Sequence, residues 1–265
     1  MLKGYLVYDK AGAERNAWFI DRFIEKAKEL KIDLTLAFSS CIKTLDLPDF
    51  AIVRCVSPDI NAYLEEKGVK VFNNFKTSEI ANDKWKTYCM ARSLNIPVMN
   101  TLKSDGDFEF PYVLKSVDGH GGQEVFMIND AKEKQNALNF IKNKKSIIQQ
   151  VCSDKGKDLR VYVLGKKILL SVLRTSKTDF KSNFSLGGNA QVKKAPIKCR
   201  RIIKRLYNEL KFDFVGVDFI FHDNKPVLNE IEDPVGTRMV YKLTHVDPAY
   251  EYLKYIKKHL KKFRA

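Results

Sequence analysis

Residues 215–232 read VGVDFIFHDNKPVLNEIE. Val215, Val217, Phe219 and Phe221 alternate with Gly216, Asp218 and Ile220, the period of two that sends side chains to opposite faces of a strand. On the return segment Val227 and Ile231 share one face, while Leu228, Glu230 and Glu232 share the other. Matching apolar face to apolar face pairs Phe221 with Val227, Phe219 with Asn229 and Val217 with Ile231, which predicts a three-residue loop, Asp223-Asn224-Lys225. The same register sets Asp218 opposite Glu230, with Glu232 two residues along on that face.

Three carboxylates on one sheet face repel each other unless cations neutralise them. Hard oxygen donors suit Mg²⁺, which usually takes one or two carboxylates together with nucleotide phosphates. The alternative is a solvated strand pair whose acids merely meet lysines. Acids are poor strand formers, and this element is otherwise strongly apolar, which favours the metal. Asp218, Glu230 and Glu232 are the candidate metal ligands.

Upstream, Pro111-Tyr112-Val113-Leu114-Lys115 precedes Gly119-His120-Gly121-Gly122. A lysine late on a strand, just before a glycine turn, suits a phosphate site: the ammonium is a point charge, and turn N–H groups approach oxygens without side-chain obstruction. Glycine turns between strands are commonplace, so the pattern alone is weak. It lacks the GK[ST] helix start of a Walker loop, and His120 reads as a loop residue rather than a base. Asp158-Leu159-Arg160 and Arg174 lie on further strands, where a forked guanidinium can clamp a carboxylate or phosphate. Each arginine read singly is as well a surface ion-pair partner. Lys181-Ser182-Asn183, ahead of Gly187-Gly188, reads as a polar loop able to fold over a ligand.

The chain opens β-α-β, with strands at Gly4–Tyr8, Leu34–Phe38, 50–56 and Val69–Phe72 and a helix over 14–30. That alternation predicts a mainly parallel, doubly wound sheet. The first turn is Asp9-Lys10-Ala11-Gly12-Ala13, not GxGxxG, so a dinucleotide cofactor is unsupported. A helix over 78–94 and strands at Tyr112–Lys115, 125–128 and 147–152 follow, then a strand-rich remainder with helices near 197–210 and 247–262. Three domains are expected, over 1–76, 77–148 and 149–265.

A length of 265 residues allows a sizeable core, and 45% hydrophobic with 30% charged residues argues against disorder. The net charge of +15 favours polyanions, acidic membranes or acidic small substrates, unless the lysines simply coat solvated helix faces. The C-terminal lysines do the latter, because Tyr250, Leu253, Ile256 and Leu260 recur at helical spacing among them. No RNA-reading motif accompanies the charge. Five scattered cysteines without a CxxC pair argue for a reducing cytoplasm and against zinc. No apolar run reaches membrane-spanning length, so no membrane partner is expected.

These pieces, in this order, resemble the ATP-grasp superfamily, and most of all its RimK-type branch of amino-acid and peptide ligases. The resemblance is strong from about Asn82 to Arg238 and looser before. It implies a mixed α/β and α+β chain with the ATP-grasp fold: an N-terminal doubly wound α/β domain, a central lid and a C-terminal antiparallel-sheet domain. It implies nucleotide contacts at Lys84, Lys115, Gly119, Gly121 and Gly122, a hinge strand at Gln149, Gln150 and Val151, and further contacts at Asp158, Lys181, Ser182 and Asn183. Arg160 and Arg174 fall on catalytic positions, Arg174 on the arginine that stabilises the transferring phosphoryl. Asp218, Glu230 and Glu232 fall on the magnesium positions, in agreement with the hairpin argument.

The chain departs from the family pattern in three places. Glu230-Ile231-Glu232 stands where Glu-x-Asn is usual, Asp233-Pro234-Val235-Gly236-Thr237-Arg238 where an Asn-x-x-Pro-Gly run is common, and Gln150 where a hinge glutamate is frequent. The second departure lines the acceptor side in relatives, so the usual substrate does not carry over.

The resemblance implies an ADP-forming ligase using ATP and Mg²⁺ (one ion or two, with Mn²⁺ as a substitute). It activates a carboxylate as an acyl phosphate for attack by an amine, on an amino acid or peptide. The basic charge favours an acidic substrate, and Arg54 is a candidate anion contact beside its reading as an ordinary surface arginine. Two rivals are an ATP-binding regulator without turnover, opposed by the intact acids and Arg174, and a basic nucleic-acid-binding protein. Oligomeric state is not legible.

Overall fold

The computed structural model describes residues 1–142, 144–176 and 189–263, with the side chains of 261–263 left out. Its first sheet is parallel, built from β1 (Leu2–Tyr8), β2 (Ile32–Phe38), β3 (Phe50–Val53) and β4 (Lys70–Phe72) in the order β2-β1-β3-β4. Helices α1 (Lys10–Arg15), α2 (Ala17–Glu29) and α3 (Pro58–Glu66) connect these strands. The helix expected over 14–30 is thus interrupted at Asn16, which accepts the end of α1 and begins α2. Phe19, Ile20, Phe23 and Ala27 of α2 cover one sheet face, and Ile60 and Leu64 of α3 cover the other. That is the doubly wound arrangement expected of alternating strands and helices.

Helices α4 (Phe75–Ala81) and α5 (Lys84–Ser93) replace the single helix expected over 78–94. The break is a cap: Asp83 has extended backbone angles, and its carboxylate accepts from the Lys86 N–H at 2.7 Å. Lys84 therefore opens a helix, with its own N–H bonded to the Val117 carbonyl at 3.1 Å. An antiparallel sheet follows, in the order β5-β8-β6-β7, from β5 (Thr101–Lys103), β6 (Tyr112–Ser116), β7 (Val125–Ile128) and β8 (Ser146–Gln150), with α6 (Ala131–Phe140) packed on it.

The third sheet is antiparallel, in the order β11-β10-β9-β12-β13: β9 (Lys157–Leu164), β10 (Lys167–Thr175), β11 (Asn189–Val192), β12 (Phe214–His222) and β13 (Lys225–Glu232). Its apolar face packs on α7 (Ile197–Leu210), which buries Cys199, Ile202, Ile203, Leu206 and Leu210 at helical spacing. Each such aliphatic side chain contributes about 1.5–3 kcal/mol when withdrawn from water. Helices α8 (Arg238–Leu243) and α9 (Pro248–Phe263) close the chain. Leu253, Ile256 and Leu260 of α9 are buried in a core shared with the parallel sheet, which ties the two ends of the chain together. Among the described residues no helix is long and apolar enough to cross a membrane.

The hairpin departs from its expected register. Val217 pairs with Ile231 and Asp218 with Glu230 as expected, but Phe219 then pairs with Leu228 and Phe221 with Pro226. Asn229 is an extra residue in β13, a β-bulge, and it switches the faces of everything between it and the turn. Leu228 accordingly joins Phe219 in the apolar core. The loop shrinks to two residues, Asp223 and Asn224, with φ of 50° and 57°. Left-handed angles at both central positions are what a tight hairpin turn needs, and Asp and Asn tolerate them.

Candidate active site

The polar face of the third sheet carries a checkerboard of charge. Cross-strand pairing sets Arg174 beside Asp158, and sets Arg160 beside Asp218, which is itself beside Glu230. Arg160 donates to Asp218 through Nε to Oδ1 at 2.9 Å and through Nη2 to Oδ2 at 2.6 Å, and it also reaches Glu232. Arg174 donates to Asp158 Oδ1 at 2.6 Å, to Asp158 Oδ2, and to Asp218 Oδ2 at 2.8 Å. Two guanidiniums thus knit three carboxylates into one buried network. In such a place an unpaired charge is costly, and paired charges act strongly.

Titration follows from that geometry. Burial works against the charged form of Asp218, but Arg160 and Arg174 outweigh it and hold the carboxyl down at about 2. Burial pushes Glu232 up to about 7, with the Asp218 and Glu230 charges adding to it and Arg160 opposing. Asp158 is pushed up to about 6 by burial against the pull of Arg174. Like charges crowded on one face cannot all ionise freely, and Asp218, the one carboxyl bonded to both arginines, ionises first.

Carboxylate oxygens of Asp218, Glu230 and Glu232 lie within 4.8 Å of one another. Three hard oxygen donors at that spacing, one buried and two half-buried, fit a divalent cation of the magnesium type.

Facing this sheet across a cleft of about 480 Å³ are β6, β8 and the start of α5. Buried Lys115 points Nζ at Gln149 Oε1, 2.7 Å away, and at Asn229 Oδ1, 3.0 Å away. Burial lowers its ammonium to about 8, with the charge of Glu230 resisting. Gln149 is fixed in turn by donating to the Thr101 hydroxyl at 2.9 Å. Lys84 donates to the Gly119 carbonyl and lies 4.0 Å from Glu230. Gly121 and Gly122 have φ of 68° and 76°, a backbone that residues with a Cβ rarely adopt. A side chain at Gly119 would strike Ser116 and Glu124.

Of the residues singled out in the sequence, Lys84, Lys115, Gly119, Gly121 and Gly122 line this cleft from one side. Gln149, Gln150 and Val151, at and just past the end of β8, line it too, and Asp158, Arg160, Glu230 and Glu232 line it from the third sheet. Asp218 is buried beneath them, and Arg174 opens on an adjoining chamber. Lys181, Ser182 and Asn183 lie outside the described residues.

A family model described as a RimK-like ATP-grasp domain matches residues 84–256, from the first cleft lysine to beyond the acidic hairpin. The chain belongs to the RimK-like ATP-grasp family. A glutamate–LysW ligase, ArgX, of Sulfurisphaera tokodaii is 26% identical over 241 residues, covering 83% of this chain and 86% of its own. An uncharacterised protein of Mycoplasma genitalium is 27% identical over 251 residues, covering 91% and 87%. The crystal structure of D-alanine–D-alanine ligase from Bacillus anthracis complexed with ATP matches with a TM-score of 0.75 at 16% identity, over 100% of this chain and 99% of that one. At that identity the likeness establishes the fold. Several homologues are named as ligases of the ATP-grasp family, and the family uses ATP.

Two parts of this RimK-like site escaped the sequence reading. Asn229 reaches Lys115 because the bulge turns it out of the ladder. Asn73 joins β4 to the third sheet: its Oδ1 accepts from the N–H of Asp213 and, at 2.8 Å, from that of Phe214, while its Nδ2 donates to Phe214 O at 2.9 Å and Asp233 Oδ1 at 2.8 Å. A single asparagine in a loop carries no pattern that announces such a role. Arg54, a candidate in sequence, donates to Tyr8 Oη at 3.2 Å and to the Val235 carbonyl at 2.9 Å, so it braces the segment after Glu232.

Proposed function

We propose that this RimK-like ligase holds Mg-ATP in the cleft between the second and third sheets and uses it to activate the carboxylate of an amino acid or short peptide. The class of reaction is that of the family, ATP-dependent joining of a carboxylate to an amine. Relatives named as glutamate ligases and as N-acetylaspartylglutamate synthase A support an amino-acid or peptide substrate. The observation that carries the reading is the facing of Lys84 and Lys115 across one cleft from the Arg160–Asp218–Glu232 network.

A substrate carboxylate oxygen attacks the γ-phosphorus, ADP leaves with the bridging oxygen, and an acyl phosphate forms. The amine nitrogen then attacks the acyl carbon and inorganic phosphate departs. Side chains need supply no nucleophile; they position the reactants and offset charge. Asp218, Glu230 and Glu232 would hold magnesium, which when bound neutralises triphosphate charge and polarises the phosphoryl group. Lys84 and Lys115 are assigned to the phosphates, with Gly119, Gly121 and Gly122 closing over them. Gln149, Gln150 and Val151 take the base and ribose, and Asp158, Lys181, Ser182 and Asn183 complete the nucleotide contacts. Arg160 and Arg174 face the transferring phosphoryl, where their buried charge is least screened. The domain division that goes with this reading is 1–76, 77–148 and 149–265. The free cysteines, among them exposed Cys41 and Cys89, suit a reducing cytoplasm.

Mg²⁺-dependent phosphate release across a panel of amino acids and short acidic peptides tests it, with Arg174→Ala as control. Release that requires a carboxylate–amine pair and disappears in the variant is expected. ATP binding without stimulated release by any pair would point to a nucleotide-binding regulator.

A further inference from the structure

The α7 side of the third sheet carries charge that the ligase chemistry does not use. From Val192 to Asn208, seven of seventeen residues are Lys or Arg and none is acidic. β11 accompanies β10 only over Val172–Thr175; the Lys193 N–H then bonds the Ser171 carbonyl at 2.9 Å, and the chain turns away into α7. Among the described residues the Lys167–Leu170 half of β10 has no strand on that side, and Ile168, Leu169 and Leu170 stay half-buried. A groove of about 700 Å³ results, with those three, Ile203 and Tyr207 as its floor. A second groove of about 520 Å³, between the β9–β10 turn and α9, shares Gly165, Lys166 and Tyr207 with the first, so the two form one track. Among the described residues none lines both this track and the ATP cleft.

Lys193, Lys194, Arg200 and Lys204 rim the first groove, Lys254 and Lys258 the second, and Lys166 stands where they join. Among the described residues none of these seven has a carboxylate within ion-pair distance. The eighth cation, Lys167, is paired at 3.2 Å with Glu251, the one acid on the track. Glu209 of α7 is taken by Lys76. Rings lie among the cations: Lys166 and Lys211 each stand 5.6 Å from the Tyr207 ring centre, and the Tyr255 and His259 rings lie 3.8 Å apart in the second groove.

We propose that this track binds single-stranded RNA, a function separate from the ligase cleft. Eight cations against one acid match a ligand whose negative charge recurs at every step, as a polynucleotide's does. The apolar floor and the rings of Tyr207 and Tyr255 offer surfaces for base faces, and that pairing of cationic rim with stacking platform holds single strands without reading sequence. A duplex turns only phosphates outward and would leave Leu169, Leu170 and Ile203 uncovered. Because the ATP cleft is lined by other residues, RNA and nucleotide bind together.

Fluorescence anisotropy with a labelled single-stranded RNA of about twelve nucleotides tests it. The dissociation constant should be micromolar near about 100 mM salt, with a log–log salt slope of about −3 to −5, as expected for roughly four to seven phosphates neutralised. Lys166→Glu combined with Lys204→Glu should weaken binding at least about tenfold and flatten the slope by about 1.4, while still binding a non-hydrolysable ATP analogue as the unaltered protein does. Lys28→Glu combined with Lys132→Glu, an equal change of net charge at exposed residues elsewhere, should stay within about threefold. A duplex of the same sequence should bind more weakly, poly-L-glutamate should compete poorly at equal charge, and the ATP analogue should not displace the RNA. Absence of binding, equal losses in the two double variants, a duplex or poly-L-glutamate matching the single strand, or displacement by the ATP analogue would each overturn the RNA track. None of these outcomes bears on the ligase reading.

Discussion

Arg160 and Asp218 form a two-pronged ion pair, Nε to Oδ1 at 2.9 Å and Nη2 to Oδ2 at 2.6 Å, so both oxygens of the central acid are engaged by the protein's own cation. The same guanidinium reaches Glu232. A divalent cation entering this trio competes with Arg160 for two of its carboxylates. Nucleotide phosphates would relieve that competition by offering Arg160 another anion. Arg160→Gln should therefore bind Mn²⁺ without nucleotide several-fold more tightly than the unaltered protein, while losing most turnover. Paramagnetic titration of free Mn²⁺ measures the first effect; equal affinity would show that the pair does not guard the site.

Lys115 is buried between Gln149 and Asn229, with its ammonium lowered to about 8 by burial. The group is charged below that pH and neutral above it in the empty enzyme, so ATP affinity should fall as pH rises through about 8. Bound phosphates favour the ammonium, so binding near that pH should take up a proton, readable by calorimetry in buffers of different ionisation enthalpy. Lys115→Met should weaken ATP by about 10- to 100-fold and abolish this proton uptake. An unchanged proton uptake in the variant would assign the titration elsewhere.

Asp213 is buried, with Oδ1 accepting from Tyr255 at 2.9 Å and Oδ2 without a hydrogen-bond partner among the described residues. Burial pushes its carboxyl up from 3.8 to about 7. A carboxyl raised in the folded state binds its proton more tightly there than in the unfolded chain. Its contribution to stability is complete below about pH 4 and is lost as pH rises through about 7. Asp213→Asn should be relatively more stable at pH 8 than at pH 5, measured as the shift in urea midpoint against the unaltered protein. An equal shift at both values would contradict the assignment.

Asn73 satisfies four groups at once, the N–H of Asp213, the N–H and C=O of Phe214, and Oδ1 of Asp233. Asn73→Ala leaves these buried groups without partners, and each such loss costs about 1–3 kcal/mol where water does not replace it. Urea unfolding should show a loss of at least about 3 kcal/mol. A loss below about 1 kcal/mol would mean that water fills the gap.

Much of this was legible because the decisive features are local and periodic. Alternation alone placed Asp218, Glu230 and Glu232 together, and it did so despite a register error, because the bulge at Asn229 lies on the turn side of all three. The bulge was invisible because Val227 and Leu228 are both apolar and either could face the core. The split between α4 and α5 had a signal, an Asp at position 83 capping a new helix, that a long apolar period masked. The short strands β5 and β11 and helix α8 are too brief for periodicity to register. Asn73 acts through partners far along the chain, and nothing in its own neighbourhood marks it.

The central claim is that the cleft phosphorylates a carboxylate. A substrate whose carboxylate carries heavy oxygen should be turned over with ATP, magnesium and an amine, and the released phosphate examined by mass spectrometry. One heavy oxygen from the carboxylate in each phosphate is the expected result, since the bridging oxygen of the acyl phosphate leaves with phosphate when the amine attacks the acyl carbon. Amide formed with unlabelled phosphate would contradict the account.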